Sequence, residues 1–349
     1  MTSNAPRLSI VMPVFNHPEQ LKTMLDSISA NTFCNYELLA VDDGSNAETL
    51  NLLDAYARCD SRIHIIPRRR SPKGAPTCRN IGLDAARAPY IMFLDADDYT
   101  APHCFAQRVA AMDRLPSLDF LVFPSGIYTN DGAFQPIPHI YAYGYPGLGN
   151  DVDLFARRFL PFVVWNNIYR TESLRHACIR WDEQLLSLQD ADFNVAALTA
   201  GLKYNYALNI TPTTPDYGYR IGTATSVSAR IATQSLKSHA RATRRMYKMI
   251  RASYGKKFDA ALFSGVLLLY NRVMTGSGLN ILAARALSDA IRPFDAPRAR
   301  FLSALTHASR LLSTILPAKT ARQLPMLPHL IANKQRRKSK LKTIKRYLR

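Results

Sequence analysis

Apolar runs alternate with amphipathic segments along the first hundred residues of the chain. The short, β-rich runs lie at residues 8–14, 36–45, 63–67 and 90–98, and segments with helical apolar spacing lie between them at 18–31, 47–59 and 76–88. Strands that alternate with helices imply right-handed crossover connections and a mostly parallel sheet with helices on both faces. The pattern therefore predicts an α/β domain of this architecture.

The pattern changes farther along the chain. Strand and helix character resumes after about residue 118, interrupted at 136–150 by a stretch rich in Tyr, Pro and Gly, which we expect to form a loop or flap over a site. A last β-like segment, 215–230, precedes helical and increasingly basic sequence. A chain of 349 residues exceeds the length that one hydrophobic core usually supports. We therefore expect a main α/β unit at 1–230, a helical region at 231–333 and a basic tail at 334–349.

Positive charge is distributed unevenly along the chain. The formal charge is +19, and the excess lies beyond residue 230, most of all in 334–349. Nucleic acid, an acidic membrane surface and phosphate-bearing substrates all attract such a tail, and a tail that is merely solvated is equally compatible with the sequence. The chain shows no helix-turn-helix, zinc or RNA-recognition signature, so we do not expect nucleic acid as a partner.

The distribution of cysteines and the lengths of the apolar runs indicate where in the cell the protein is located. The five cysteines are scattered without C-x-x-C pairs, so neither a disulfide framework nor a structural zinc site is indicated. The N-terminal apolar run is too short for a signal-peptide core, and the most apolar later run, 260–270, is too short to cross a bilayer. We expect a cytoplasmic protein whose membrane contact, if any, is peripheral and on the inner face of the cytoplasmic membrane.

Polar side chains follow three of the predicted strands at the points where these strands end. They are Asn16 after the first strand, Asp42 and Asp43 after the second, and Asp95, Asp97 and Asp98 after the fourth. In open α/β sheets, ligands bind beyond the carboxyl ends of the strands. Carboxylates this close together need a compensating cation, and oxygen ligands favour Mg²⁺ or Mn²⁺ bound together with substrate phosphates. The alternative is that residues 95–98 only form an acidic turn before a helix that starts near Ala101.

Basic residues that would meet the remaining phosphate charge lie nearby in the sequence. They are Arg68, Arg69, Arg70, Lys73 and Arg79, of which Arg79 falls inside the predicted helix that leads to the acidic strand. Together with the carboxylates, they suggest a metal-bound diphosphate ligand.

The order of four motifs resembles the nucleotide-sugar half of a family 2 glycosyltransferase. These motifs are SIVMPVFN (9–16), VDDGS (41–45), GAPTCRNIGLDAA (74–86) and YIMFLDADD (90–98), and the resemblance continues through WNNIYR (165–170), RWDEQLLSLQDADF (180–193) and YGYRIGTATSVS (217–228). It covers about the first two thirds of the chain. The resemblance implies a glycosyltransferase A-type fold, a nucleotide-diphosphate sugar donor, a divalent metal and inversion at the anomeric carbon. It makes 1–230 the catalytic domain, with a donor half at about 1–117 and an acceptor half at about 118–230.

The resemblance also implies roles for residues of the donor half. Pro13, Phe15 and Asn16 would line the nucleotide pocket, Asp42 or Asp43 would contact the base or ribose, Arg79 would lie near the donor phosphates, and Asp95, Ala96 and Asp97 would form the family's D-x-D motif. Within that motif, Asp97 would bind the metal and Asp95 would contact the ribose or sugar. Asp98 would face the donor sugar.

An inverting transfer needs a base that accepts the proton of the attacking acceptor hydroxyl. The family usually shows Glu-Asp at LQDADF; here Gln189 and Asp190 stand in that place, so Asp190 is the predicted base and Asp192 the reserve. Asp190 would otherwise be an ordinary acid at a helix N-terminus. Trp165 is a candidate for stacking on a sugar, or else a core residue, and Arg220 is a candidate for contact with the diphosphate.

The sequence therefore predicts an inverting, metal-dependent glycosyltransferase. It would move a sugar from a nucleotide-diphosphate sugar to a saccharide or polyprenyl-linked acceptor in surface-polysaccharide assembly, and the basic tail would hold it against anionic lipid. A catalytically inactive scaffold is the main alternative, favoured by Gln189. A nucleotidyltransferase is disfavoured because SIVMPVFNHP lacks the glycines of a phosphate loop, and a nucleic-acid-binding protein is disfavoured for the reasons given above.

Overall fold

A sheet of seven strands lies at the centre of the computed structural model, which describes residues 5–129, 133–136, 139–211, 213–221, 236–275, 281–312 and 327–347. The strands are β1 (Leu8–Val14), β2 (Tyr36–Asp42), β3 (Ile63–Pro67), β4 (Tyr90–Phe93), β5 (Tyr99–Thr100), β6 (Phe120–Val122), β7 (Gly126–Tyr128), β8 (Phe134–Gln135), β9 (Asn167–Arg170), β10 (Tyr204–Tyr206) and β11 (Tyr217–Arg220). The central sheet has the order β10-β6-β9-β4-β1-β2-β3. Its strand pairs are parallel except for those that β9 makes with β4 and β6. The predicted mostly parallel sheet is thus present.

Helices cover both faces of this sheet. They are α1 (Pro18–Ser29), α2 (Ala47–Cys59), α3 (Ala75–Ala85), α4 (Cys104–Asp113), α5 (Asp151–Ala156), α6 (Thr171–His176), α7 (Gln189–Thr199), α8 (Leu236–Tyr254), α9 (Asp259–Thr275), α10 (Ile281–Ile291), α11 (Ala296–Leu312) and α12 (Leu327–Tyr347). Because successive residues of a strand point to opposite faces, Ile10 and Met12 pack with α1, α2 and α4, while Val11 packs with α3. The close approach of α3 requires glycine at 82, where a Cβ atom would lie 2.3 Å from a methyl carbon of Val11.

A smaller sheet of four strands lies beside the central one. Its order is β5-β11-β7-β8, and β11 pairs in parallel with β7 and antiparallel with β5. The pairing with β5 brings Tyr217 and Gly218 next to Thr100 and Tyr99. Residues after the acidic segment 95–98 therefore lie against β11, although more than a hundred residues separate them in sequence.

The helical C-terminal region shares its core with the α/β domain. Met246 and Ile250 of α8 belong to the same buried cluster as Phe93 of β4 and Phe193 of α7. The predicted domain boundary near residue 230 falls in 222–235, outside the described residues. No helix among the described residues is long and apolar enough to span a membrane.

Residues 334–347, most of the predicted basic tail, form the second half of α12. The helix is not a solvated tail along its whole surface, because Lys340 is 4% exposed and Ile344 is fully buried. Lys338 and Lys342, on either side of Lys340, are exposed. A simple solvated tail is therefore the wrong interpretation of these residues.

Candidate active site

The carboxyl ends of β1, β2 and β4 meet at one edge of the central sheet. There the loop after β1 is joined to the loop after β2 by two hydrogen bonds: the backbone NH of Asn16 donates to Ser45 Oγ at 3.0 Å, and the backbone NH of Asn46 donates to Asn16 Oδ1 at 2.9 Å. Asn16 has a positive φ of 57°, a conformation that asparagine tolerates better than most residues. The sequence placed Asn16 in the nucleotide pocket, and the structure places it in the wall between these loops.

Asp42 and Asp43 shape the same loops from within. Asp42 Oδ2 accepts from the backbone NH of Gly44 at 3.0 Å, and Oδ1 accepts from that of Ser45 at 3.0 Å, so the carboxylate caps the turn that follows β2. Asp43 accepts from Arg68 Nε and from the backbone NH of Gly74. Both aspartates are about 5% exposed. Their contact with a base or ribose stays a prediction.

Phe15 and Pro13 lie at the solvent side of this edge. Phe15 is 44% exposed, which is unusual for a large apolar side chain, and Lys73 Nζ lies 3.5 Å from the centre of its ring. Pro13 is partly exposed beside the otherwise buried residues of β1. An accessible flat ring beside a cation suits a nucleobase and its phosphates, and the roles of Phe15 and Pro13 in a nucleotide pocket stay predictions.

Arg79 is a buried cation at the same edge. It lies on α3 and is 2% exposed; its Nη2 donates to Asp95 Oδ1 at 2.5 Å, and its guanidinium carbon lies 4.5 Å from the centre of the Trp181 ring. Within the described part of the chain, its Nε and Nη1 atoms have no hydrogen-bond partner. Buried guanidinium donors without partners are costly, so this arrangement favours an anionic ligand that accepts from them.

The three carboxylates of residues 95–98 have different surroundings. Asp98 is 1% exposed and accepts from the Tyr217 hydroxyl at 2.8 Å and from the backbone NH of Arg220 at 2.7 Å. Burial, followed by the charges of Asp97 and Asp95, raises the pKa of Asp98 well above its ordinary value. Asp98 thus ties β11 to the acidic loop, and at 1% exposure it is not accessible for the predicted contact with the donor sugar.

Asp97 and Asp95 are the accessible members of this group. The residue Asp97 is exposed, Ala96 between them is partly exposed, and the Asp95 side chain is 31% exposed. Among the described residues, no Lys, Arg or His lies within ion-pair distance of the Asp97 carboxylate. No group of three or more His, Cys, Asp and Glu side chains converges on a metal position within the described ranges. A cation held largely by substrate phosphates needs only one or two protein carboxylates, which these two residues supply.

Asp190 lies in the first turn of α7, next to Arg79 and Asp95. Burial raises the pKa of Asp190 to about 6; the charge of Arg79 opposes this shift and that of Asp95 adds to it. Neither Asp190 Oδ1 nor Gln189 Oε1 has a hydrogen-bond partner among the described residues. The structure therefore brings together the predicted base, the predicted phosphate ligand and the first aspartate of the D-x-D motif.

Two predicted contacts with sugar or acceptor do not fit the structure. Asp192 is 1% exposed and accepts from Arg245 Nε at 2.8 Å and Nη2 at 3.0 Å, so it is not available as a reserve base. Trp165 is 3% exposed, and its ring stacks on that of Tyr217 at 4.7 Å, so it is a core residue. Both predictions were wrong because the partners come from distant parts of the chain.

Arg220 lies against the acidic loop 95–98, and its predicted contact with the diphosphate stays a prediction. Its Nε donates to the backbone oxygen of Asp97 at 2.5 Å, and its guanidinium carbon lies 4.7 Å from the centre of the Tyr128 ring. Its buried Nη2 has no partner among the described residues. The side chain thus holds the acidic loop and keeps a donor available.

A further cluster was not found by sequence reasoning. Arg70 donates through both Nη atoms to Glu183, at 2.5 and 2.6 Å, and Asn80 Nδ2 donates to Glu183 Oε1 at 2.8 Å and to the Trp181 carbonyl at 3.0 Å. These bonds fasten the loop before α3 to the segment that carries Trp181, the residue that stacks on Arg79. The participants lie about a hundred residues apart, so no local signal in the sequence joins them.

Comparison with known proteins assigns this arrangement to a family. Residues 9–176 match the family model described as glycosyl transferase family 2. The segment 9–176 is thus a glycosyl transferase family 2 domain. The match confirms the family that the motifs predicted, and it includes Arg79 and the D-x-D motif of this family 2 domain. Asp190 and Arg220 lie beyond the matched range.

Similar sequences are found among bacterial glycosyltransferases. EpsJ of Bacillus subtilis, an uncharacterized glycosyltransferase, is 28% identical over 197 residues, which are 55% of this chain and 56% of EpsJ. TarS of Staphylococcus aureus, a poly(ribitol-phosphate) beta-N-acetylglucosaminyltransferase, is 24% identical over 194 residues, which are 55% of this chain and 32% of TarS. The aligned segments thus span little more than half of the first relative and about a third of the second.

Two solved structures share the fold of this chain. The crystal structure of S. aureus TarS 1–349 with UDP-GlcNAc matches with a TM-score of 0.64 and 19% identity, over 90% of this chain and 89% of that one. The mannosyltransferase PcManGT of Pyrobaculum calidifontis, in complex with GDP-Man and Mn²⁺, matches with a TM-score of 0.50 and 16% identity, over 95% and 87%. The predicted glycosyltransferase A-type fold with a helical C-terminal region is confirmed.

Proposed function

We propose that the chain is an inverting, metal-dependent glycosyltransferase. It moves a sugar from a nucleotide-diphosphate sugar to a saccharide or lipid-linked acceptor in the assembly of a surface polysaccharide. The family 2 match supports the reaction class, and the name of TarS, a poly(ribitol-phosphate) beta-N-acetylglucosaminyltransferase, supports a polymer as the acceptor. The proposal does not specify which nucleotide or which sugar the donor contains, because the two structural neighbours carry UDP-GlcNAc and GDP-Man.

The proposal rests mainly on the surroundings of the Arg79 side chain. A buried guanidinium with two nitrogen atoms that lack partners among the described residues, at the ligand-binding edge of the sheet, is the expected receptor for a diphosphate. Its donors would face the phosphates as the bond between the anomeric carbon and the diphosphate oxygen breaks. They would then stabilise the negative charge that develops on the departing nucleotide diphosphate.

Asp97 and Asp95 would hold a divalent cation together with the donor phosphates. The Asp95 side chain is 31% exposed, Asp97 is an exposed residue, and no cation lies within ion-pair distance of Asp97 among the described residues, so their carboxylate chemistry fits Mg²⁺ or Mn²⁺. When bound, the cation neutralises charge on the leaving diphosphate. Arg220 would keep the metal-binding loop in place through the backbone oxygen of Asp97.

Asp190 would act as the base on the acceptor side. Its carboxylate would accept the proton of the acceptor hydroxyl while that oxygen attacks the anomeric carbon and the nucleotide diphosphate leaves with the bonding electrons. A pKa of about 6 leaves Asp190 ionised yet basic at neutral pH. Gln189 would leave Asp190 without a second carboxylate beside it, so burial alone provides most of the increase in basicity.

The exposed cations of α12 would contact anionic lipid headgroups, near which lipid-linked acceptors reside. Lys334, Lys338 and Lys345 are all exposed. Flotation with liposomes that contain acidic phospholipid should show binding by the wild type and loss of binding when these three residues are changed to glutamate. Arg58→Glu, a single change at an exposed position on α2, is the control. An equal loss of liposome binding in this variant would show that only the total charge of the protein matters.

The metal site is tested with a panel of UDP- and GDP-sugars in the presence and absence of Mn²⁺. The wild type should bind and slowly hydrolyse at least one of them, and only with metal. Asp97→Asn should weaken Mn²⁺ binding in the presence of the nucleotide, measured by electron paramagnetic resonance, at least tenfold. A wild type that engages no donor, or donor hydrolysis that is independent of metal, would overturn the proposal and favour an inactive scaffold.

A further inference from the structure

The face of α12 that packs against residues 140–143 contains a buried lysine. Lys340 Nζ donates to the backbone oxygen of Ile140 at 2.9 Å and lies 3.8 Å from the centre of the Tyr143 ring. Lys340 is 4% exposed, whereas the flanking Lys338 and Lys342 are exposed. Burial lowers the pKa of Lys340 to about 7, with a smaller contribution from Arg337. Burying an ammonium group is costly. The position of Lys340 against the Ile140 carbonyl and the Tyr143 ring is therefore a specific packing contact, and the basic character of the helix alone does not explain it.

Other residues of α12 hold the same loop, residues 139–147. Ile344 forms a small buried cluster with Ala142 and Tyr145, and the Tyr145 hydroxyl donates to the Ser125 carbonyl at 2.9 Å. The rings of Tyr145 and Tyr347 lie 6.2 Å apart. The second half of α12 therefore covers the loop 139–147 and fixes it against the strand region near Ser125.

Loop 139–147 is connected to the acidic loop of the site by packed aromatic rings. Tyr143 meets Trp165 edge-on at 5.7 Å, and Trp165 stacks on Tyr217 at 4.7 Å. The Tyr217 hydroxyl donates to Asp98 at 2.8 Å and accepts from the backbone NH of Asp95 at 3.3 Å. Each contact in this series involves buried or half-buried groups, so displacement at Tyr143 changes the packing under the D-x-D motif.

We propose that Lys340 is a positioning residue for the metal-binding loop 95–98, acting through loop 139–147, Trp165 and Tyr217. The proposal rests on the function proposed above, because it assigns Lys340 a part in how the site holds metal and nucleotide. It gives the basic C-terminal helix a second task besides contact with an anionic surface. Lys340 touches neither metal nor donor.

The first test is hydrogen exchange, which needs no ligand. The reporter amides are those of Tyr143, which donates to Ser125 Oγ, of Asp95, which donates to Tyr217 Oη, and of Arg220, which donates to Asp98. In Lys340→Ala all three should exchange at least tenfold faster than in the wild type, while amides in the middle of β2 should not change. Lys342→Ala, a change at the exposed neighbour on the same helix, is the control and should leave every reporter unchanged.

The second test uses UDP and GDP as probes. Well below the melting temperature, Lys340→Ala should weaken Mn²⁺ binding in the presence of the nucleoside diphosphate about fivefold, a change that a purely structural role would not produce. Lys340→Gln, which keeps a donor for the Ile140 carbonyl, should recover most of the lost affinity for Mn²⁺. Tyr145→Phe, which loosens the loop without altering α12, should repeat the effect even if Lys340→Ala does not fold.

The outcomes separate this inference from the function on which it rests. No binding of Mn²⁺ with either nucleotide by the wild type would overturn the proposed function, yet exchange would still show whether Lys340 orders the loop. Unchanged reporter amides and unchanged Mn²⁺ affinity in Lys340→Ala and Tyr145→Phe would overturn the role of Lys340. Faster exchange at Tyr143 alone, with Asp95 and Arg220 unaffected, would overturn it equally.

Discussion

Three side chains from three parts of the chain meet at the ligand-binding edge of the sheet: Arg79, Asp95 and Asp190. Sequence motifs identified each of them, because residue type and position after a strand or within a helix are local properties. The sequence could not show that Arg79 stacks on Trp181, or that Asp98 and Asp192 have their oxygens taken by β11 and α8. Such pairings depend on packing between segments 53 to 122 residues apart, which no local pattern encodes.

At this scale, the ionisation of Asp190 predicts how activity depends on pH. The base must be ionised, and its pKa is raised to about 6, so transfer or donor hydrolysis should fall as the pH decreases through about 6. Asp190→Asn should abolish turnover and bind the donor with an affinity close to that of the wild type. Asp54→Asn, a change at an exposed position on α2, should keep both turnover and donor affinity. If Asp190→Asn retains turnover, another residue must be the base.

The same carboxyl predicts how stability depends on pH. Its pKa in the folded state lies above the ordinary value of about 3.9, so ionisation disfavours folding, and the cost develops as the pH rises from about 4 to 6. Asp190→Asn should therefore raise the free energy of unfolding by about 2 kcal/mol at pH 8 and by little at pH 4. Urea unfolding at the two pH values measures this; an equal effect at both would contradict a raised pKa.

The elements that carry the site are fastened to one another by polar contacts that the sequence did not reveal. The start of α7 is held by α8: Arg245 donates to Asp192, Arg241 donates to Asp182 at 2.6 Å, and Ser238 Oγ accepts from the backbone NH of Leu186 at 3.0 Å. The strands of the first hundred residues were predicted almost in full, since alternation is a local signal. The stretch 120–128 contains β6 and β7, which belong to different sheets. The antiparallel pairing of β9 depends on partner strands that periodicity does not identify.

The contact between α7 and α8 predicts the effect of removing Arg245. Arg245→Met leaves the buried Asp192 carboxylate without its cation, and we expect a loss of about 1–3 kcal/mol in the free energy of unfolding. Arg244→Met, a change at the exposed neighbouring residue, is the control and should cost little. Adding Asp192→Asn to Arg245→Met should recover part of the loss; no recovery would show that packing, and not the uncompensated charge, is responsible.

At the scale of the whole molecule, the C-terminal helices are part of one folded unit. Composition predicted a helical, basic region but not its relation to the domain, because apolar residues on a helix do not specify which surface they cover. Met246 and Ile250 share a buried cluster with Phe93 and Phe193. Truncation after Asn333 would remove Lys340 and Ile344 along with the exposed cations, so charge reversal is the cleaner test of membrane contact.

This shared core predicts a single unfolding transition. Heat or urea unfolding followed by far-UV circular dichroism, which reports helices throughout, should coincide with unfolding followed by Trp165 and Trp181 fluorescence, which reports the α/β domain. Two separate transitions would show that the C-terminal helices form an independent unit. The same result would remove the physical basis for an effect of α12 on the site.

The central claim is that Arg79 receives the diphosphate of a nucleotide sugar. Calorimetric titration of UDP and GDP in the presence of Mn²⁺ tests it most directly, with wild type, Arg79→Ala and the exposed-site control Arg58→Ala. We expect metal-dependent binding of at least one nucleotide, with an affinity about tenfold or more weaker in Arg79→Ala and within twofold of wild type in Arg58→Ala. Equal affinity of the wild type and Arg79→Ala for the nucleoside diphosphate would contradict this claim.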